Sequence, residues 1–252
     1  MITLFYFAFS LGARPDEVVE AEANVRAARN VLFFLDTDTY STQDKEQLLY
    51  KDRIDLKTQF GNDNPVFLEI CSGHGDWVVG RAKQDNSINW LSLEMRFDRC
   101  HQIWLKARLA QVHNLCVLHG EASKTVNDHV YAGSLDRVFI NHPDPPNWEN
   151  NKERLITKEF LISIHNALKE NSQLVIVTDD AEYAATISSV FESDEVSCLY
   201  TSSYAPQTFS MVLPENWGSS YFDRFFNARK QYDRFYFEMT KVEGPVNSNE
   251  SD

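Results

Sequence analysis

The chain has no CxxC pair and no cysteine spacing suited to zinc; Cys71, Cys100, Cys116 and Cys198 are scattered along it. A reduced intracellular protein, with cytoplasmic location, is the simplest account. Its seven histidines, His113 and His119 among them, also lack ligand spacing, so no metal site is expected. Positive charge is scarce: 24 Lys and Arg stand against 37 Asp and Glu, a formal net charge of -13. Nucleic-acid affinity rests on Lys and Arg neutralising phosphates, so this balance argues against a general polyanion binder while leaving room for a local basic stripe, of which none stands out. The densest basic patches run only from Arg96 to Arg108 and from Arg224 to Arg234. Long apolar runs are missing too. Met1 to Leu11 is apolar but short, without a basic flank or cleavage-like site, which fits a pairing strand or a misassigned start better than a signal peptide or membrane anchor. No internal repeat or low-complexity block is present.

What remains is an ordinary globular composition, 43% hydrophobic and 13% aromatic over 252 residues, enough for a full core. Asp16 to Leu35 carries apolar residues at helical spacing (Val18, Ala21, Val25, Ala28, Leu32), predicting an amphipathic helix. Tyr40 to Phe60 reads as a mixed connector with a short helix. From Pro65 onward β-rich runs alternate with helical segments. They are Val66–Cys71 then Asp76–Gln84, Asn89–Leu93 then Phe97–Gln111, and Leu115–Leu118 then Ala122–Val130. Leu135–Asn141 then Lys158–Leu168, and Gln173–Thr178 then Ala181–Phe191, continue the series. Five β-then-α units predict an α/β fold, Rossmann-like, with a mostly parallel doubly wound sheet. Runs near Val196–Tyr200 and Phe235–Met239 would add antiparallel edge strands. The domain expectation is therefore a helical extension and connector over 1–60, one catalytic-type domain over 61–242, and a polar disordered tail over 243–252.

Three strand ends carry chemistry. The first runs through Glu69 into Cys71-Ser72-Gly73-His74-Gly75, where closely spaced glycines let backbone approach a ligand. The second ends in Glu94, nineteen residues beyond Gly75, where an acid commonly takes both ribose hydroxyls of an adenosine cofactor. The third leads into Gly120-Glu121-Ala122; Glu121 could accept from an adenine amino group or simply sit at a helix N-terminus. A fourth strand closes on Asn141-His142-Pro143-Asp144-Pro145, which leaves one carboxylate on a turn stiffened by two prolines. That turn suits either a reaction site or a solvated Asp. Asp179 and Asp180, ahead of a helix, read as an N-cap.

Several of these segments occur in an order that resembles a known family. Phe60 to Pro65 leading into Leu68-Glu69-Ile70, Leu93 to Phe97, Leu135-Asp136-Arg137, Pro143-Asp144-Pro145, Arg154-Leu155 and Thr178 to Tyr183 together resemble the bacterial tRNA (guanine-N7-)-methyltransferases. The resemblance implies a class I S-adenosylmethionine (SAM) methyltransferase fold, SAM as cofactor and guanine N7 in the variable loop of tRNA as acceptor. It implies a cofactor pocket of Glu69, Gly73, Gly75, Glu94, Glu121, Ala122 and Asn141, with Asp144 at the catalytic position. Asp179 and Ser220, Tyr221, Phe222 and Asp223 match positions that contact the substrate guanosine. The chain departs from the family at three places. Cys71 replaces a glycine, Glu121 replaces the usual Asp, and the stretch after Asp144, Pro146 to Glu153, holds one Lys and two Glu where the family is strongly basic. Fewer phosphate contacts imply weaker tRNA binding, or a protein partner that supplies basic surface. Two other readings stay open: a diverged SAM methyltransferase with a less anionic substrate, and a silent SAM-binding scaffold.

Overall fold

A computed structural model describes residues 31–33 (as backbone), 53–143, 154–218 and 233–242. The expected helix over 16–30, most of the connector, the polar tail, Asp144 with the segment after it, and Ser220 to Asp223 lie outside the described residues.

The strands are β1 (Val31–Phe33), β2 (Val66–Ile70), β3 (Asn89–Glu94), β4 (Leu115–His119), β5 (Leu135–Asn141), β6 (Leu168–Thr178), β7 (Tyr200–Ser202) and β8 (Phe235–Lys241). Between them lie the helices α1 (Leu56–Phe60), α2 (Asp76–Gln84), α3 (Phe97–Leu109), α4 (Ala122–His129), α5 (Lys158–Ala167), α6 (Ala181–Phe191) and α7 (Asp194–Ser197). Among the described residues the strands form one sheet in the order β1-β4-β3-β2-β5-β6-β8-β7. All pairings from β1 to β6 are parallel; β8 runs antiparallel to both β6 and β7.

Alternation along the strands sends side chains into two cores. Leu68 and Ile70 of β2, Val138 and Ile140 of β5, and Leu174 and Ile176 of β6 meet α4, α5 and α6 on one face. Trp90, Val117, Phe139, Val175, Val177 and Tyr236 meet α2 and α3 on the other, where Trp77 packs edge-on or tilted against Trp90, Phe139 and Trp217, and Trp90 stacks on Phe139. Burial on both faces is why these strands read as nearly continuous apolar runs rather than as alternating ones. Each fully buried Leu, Ile or Phe contributes about 1.5–3 kcal/mol, so the two cores hold the strand ends firmly in register.

Two local expectations change. Val31–Phe33, assigned by periodicity to the end of a helix, is a strand that pairs with Val117–His119. It opens the unbroken apolar run Val31 to Leu35, and such a run is ambiguous between helix and buried strand. Val196 lies in α7 rather than in an edge strand, because Asp194 and Glu195 occupy the first turn of a short helix, where the macrodipole favours acids. The strand starts only at Tyr200.

The chain steps outward in one direction from β2 through β3 to β4, then returns to the other side of β2 with β5. The two crossovers therefore part at the carboxyl ends of β2 and β5. Open α/β sheets bind ligands at such a switch point.

Candidate active site

A cleft of ≈ 320 Å³, open to solvent, lies at this switch point. Its lining includes Glu69, Gly73, Gly75 and Trp77 from the β2–α2 connection, and Asn141 and His142 from the end of β5. Glu69 and Asn141 share a sheet face because Glu69 is in register with Phe139, two residues before Asn141. Asn141 Nδ2 donates to Glu69 Oε1 at 2.8 Å. Oε2 of the same carboxylate is buried and has no hydrogen-bond partner among the described residues. Burial pushes the Glu69 carboxyl up to about 7; hydrogen bonds from Asn141 and Ser72 oppose the shift, and the nearby Glu94 and Asp76 carboxylates add to it. A cation brought to that unused oxygen would favour the ionised form of the carboxyl.

The loop between β2 and α2 is shaped by backbone conformation. Cys71, Gly73 and Gly75 all have positive φ, at 62°, 55° and 75°. A Cβ on Gly75 would lie 2.6 Å from Ile103 Cγ1 on α3, so only glycine lets the loop pack there. Cys71 holds the left-handed conformation despite its side chain, at a cost of about 1–2 kcal/mol. The loop is also tied from two directions. Gly73 N–H donates to Glu94 Oε2 at 2.8 Å, and Lys106 Nζ donates to the His74 carbonyl at 2.7 Å and to Asp76 Oδ1 at 2.6 Å. Glu94, at the end of β3, accepts from Arg96 N–H as well.

Glu121 and Ala122 follow the next strand along. Glu121 caps α4, its carboxylate accepting from Ser123 N at 2.9 Å and Lys124 N at 2.7 Å. The preceding Gly120 N–H donates to the Glu94 carbonyl, which joins the β3 and β4 ends. Of the paired aspartates only Asp180 is the helix cap, accepting from Glu182 N and Tyr183 N. Asp179 turns instead toward β5, with Oδ1 3.2 Å from His142 Nδ1. Burial works against a charged Asp179, but the hydrogen bond and charge of His142, helped by Arg234, outweigh it and hold the carboxyl below its usual range.

The structure thus brings Glu69, Gly73, Gly75 and Asn141 into one cleft, with Glu94 tied to it through Gly73. Asp179 is linked to the same cleft through His142. Asp144, Ser220, Tyr221, Phe222 and Asp223 lie outside the described residues. Sequence reasoning missed two residues that shape the site, His142 and Lys106. The first had a signal, a histidine at a strand's carboxyl end. Lys106 had none, being one of several cations on its helix. Among the described residues no cluster of His, Cys, Asp and Glu could hold a metal ion, and no helix is long and apolar enough to cross a membrane.

A parallel switch-point sheet with a glycine loop after its strand β2 and acids at successive strand ends is the architecture of a Rossmann-like class I methyltransferase fold. Solved structures agree on the fold. A 16S rRNA methyltransferase, KamB, superposes with a TM-score of 0.56 at 13% identity, covering 76% of this chain and 95% of that one. An antibiotic-related methyltransferase gives 0.54 at 12% identity, covering 75% and 93%. A family model described as "Putative methyltransferase" matches residues 63–215. The tRNA (guanine-N(7)-)-methyltransferase of Chlamydia caviae is 37% identical over 186 residues, which is 73% of this chain and 80% of the relative. That of Chlamydia abortus is 34% identical over the same shares, and that of Geobacter metallireducens 28% identical over 81% of this chain and 90% of the relative. The chain belongs to the tRNA (guanine-N7-)-methyltransferase family.

Proposed function

We propose that this protein transfers a methyl group from SAM to N7 of guanine in the variable loop of tRNA. The observation that carries the reading is the cleft at the β2/β5 switch point, above all the buried Glu69 Oε2 that has no hydrogen-bond partner among the described residues. SAM fits such a lining because it brings donors to these carboxylates, namely an ammonium, a ribose diol and an adenine amino group. When bound it supplies an electrophilic methyl on a sulfonium. Glu69 would hold the ammonium and Glu94 the ribose hydroxyls, while the backbone of Gly73 and Gly75 allows close approach. Glu121 and Ala122 would border the adenine, and Asn141 would keep Glu69 oriented.

Guanine N7 is a ring lone pair that carries no proton, so the reaction needs no general base. It needs alignment, and carboxylates near the purine stabilise the positive charge that methylation creates. Asp144 and Asp179, with the segment Ser220 to Asp223, take that role in this reading, which draws on the family resemblance and on the position of Asp179 beside the cleft. The relatives' names favour tRNA over a less anionic substrate or a silent scaffold. The acidic stretch after Asp144 then implies modest tRNA affinity with a shallow salt dependence, or basic surface lent by a protein partner.

The test is direct. Purified protein, SAM and unmodified tRNA are incubated, and digested nucleosides are analysed for 7-methylguanosine. Its formation at a single tRNA position is the expected result. Methyl transfer to small molecules but never to tRNA would refute the proposal.

A further inference from the structure

His142 is fixed by its backbone and by its ring. Its N–H donates to the Val177 carbonyl of β6 at 2.8 Å, and its φ of 49° is left-handed, a conformation that a non-glycine residue adopts at a cost. Its side chain is only 9% exposed. The ring lies 3.2 Å from Asp179 at the end of β6, and the same residue lines the cofactor cleft beside Glu69 and Asn141. One imidazole therefore spans the two strand ends that border the reaction site. Strained residues persist where the surroundings over-determine them, and this one is held by both β5 and β6.

We infer that His142 is a positioning residue for guanine recognition, fixing the Asp179 carboxylate beside the cofactor cleft. The inference rests on the reading of Asp179 as a guanosine contact. Guanine presents its ring N–H and amino donors on one edge, which a carboxylate can accept, while N7 lies on the opposite edge and stays available to the methyl group. A carboxylate offers about four lone-pair sites, so its bond to His142 leaves capacity for the base. The charged side chains that bear on Asp179 are His142 after β5 and Arg234 just before β8; the adjacent Asp180, at the start of α6, is paired with Arg154 at 3.6 Å. The His142 side chain is hydrogen-bonded to the Asp179 carboxylate.

Two variants separate positioning from structural support. His142→Leu removes the donor; His142→Asn keeps a donor near the Nδ1 position and tolerates left-handed backbone. His142→Leu should raise KM for unmodified tRNA about tenfold, the worth of a charge-assisted hydrogen bond. SAM affinity by calorimetry should change by much less than KM, and an unchanged urea midpoint should report an intact fold. The acid limb of kcat/KM for tRNA should move to higher pH, because burial pushes Asp179 back up once its partner is gone. His142→Asn should restore both. In an Asp179→Asn background, His142→Leu should add nothing further. Unchanged KM and acid limb in His142→Leu, with Asp179→Asn impaired, would overturn the role of His142 alone. Unchanged KM in Asp179→Asn would instead refute Asp179 as the guanosine contact. Loss of SAM affinity in step with KM in both His142 variants would mark a structural role and overturn the inference as well.

Discussion

Replacing Glu69 by Gln should make the cofactor-free protein more stable at alkaline pH while weakening its hold on SAM. Glu69 is 1% exposed and its carboxyl sits at about 7 in the fold against an ordinary value of 4.5. A raised carboxyl means the folded state favours the protonated acid. The stability this gives is fully present below about 4.5 and is lost as pH rises through about 7. At roughly 1.36 kcal/mol per unit, the wild type should lose about 2–3 kcal/mol between pH 5 and pH 8 from this group alone. Glutamine does not titrate. It can still accept from Asn141, and its amide nitrogen, buried where Oε2 stood, carries a cost that is the same at every pH. The observable is therefore the pH dependence of the gap between the two proteins, measured by urea denaturation without cofactor. Saturating SAM should rescue the wild type at pH 8, because an ammonium against the ionised carboxylate removes the penalty, and should do much less for the variant. A gap of equal size at both pH values would refute the reasoning.

Asp144→Ala should abolish formation of 7-methylguanosine while leaving the urea midpoint and SAM affinity close to wild type; full retained activity would remove Asp144 from the reaction. Gly75→Ala should cost roughly 2–4 kcal/mol, since the new Cβ lies 2.6 Å from Ile103 Cγ1 and the residue keeps a φ of 75°. Calorimetry should show weaker SAM binding in step, and a variant of wild-type stability would show that the loop has room to shift.

The parallel core was legible because strands buried on both faces leave apolar runs that few other structures leave, and because each is followed by a helix with its own spacing. The acids at the strand ends were legible for the same reason: a charge at the end of such a run has few structural excuses. Less could be read where two local signals competed. Asp179 and Asp180 are adjacent and chemically identical, so sequence could not tell the helix cap from the residue facing β5; the distinction is made by His142, thirty-seven positions away in the chain. Glu121 caps α4, the helix N-terminal place that the sequence offered beside an adenine contact without deciding between them. Val31–Phe33 was hidden by periodicity, which cannot weigh the partner strand waiting at β4. Cys71 has a positive φ that its side chain disfavours, so the loop's path is imposed by its packing and not by its local preference.

The pairing of β1 with β4 bears on how the protein behaves outside the cell. β4 reads Leu-Cys-Val-Leu-His, every residue buried and none carrying a fixed charge. Three backbone pairs with β1 occupy its far side. A chain trimmed to begin at residue 53 would keep the whole cofactor cleft but uncover that ladder, and an uncharged, β-rich edge is a template for intermolecular pairing. Such a truncation should precipitate on concentration even with its site intact, which makes those three residues a guard on solubility.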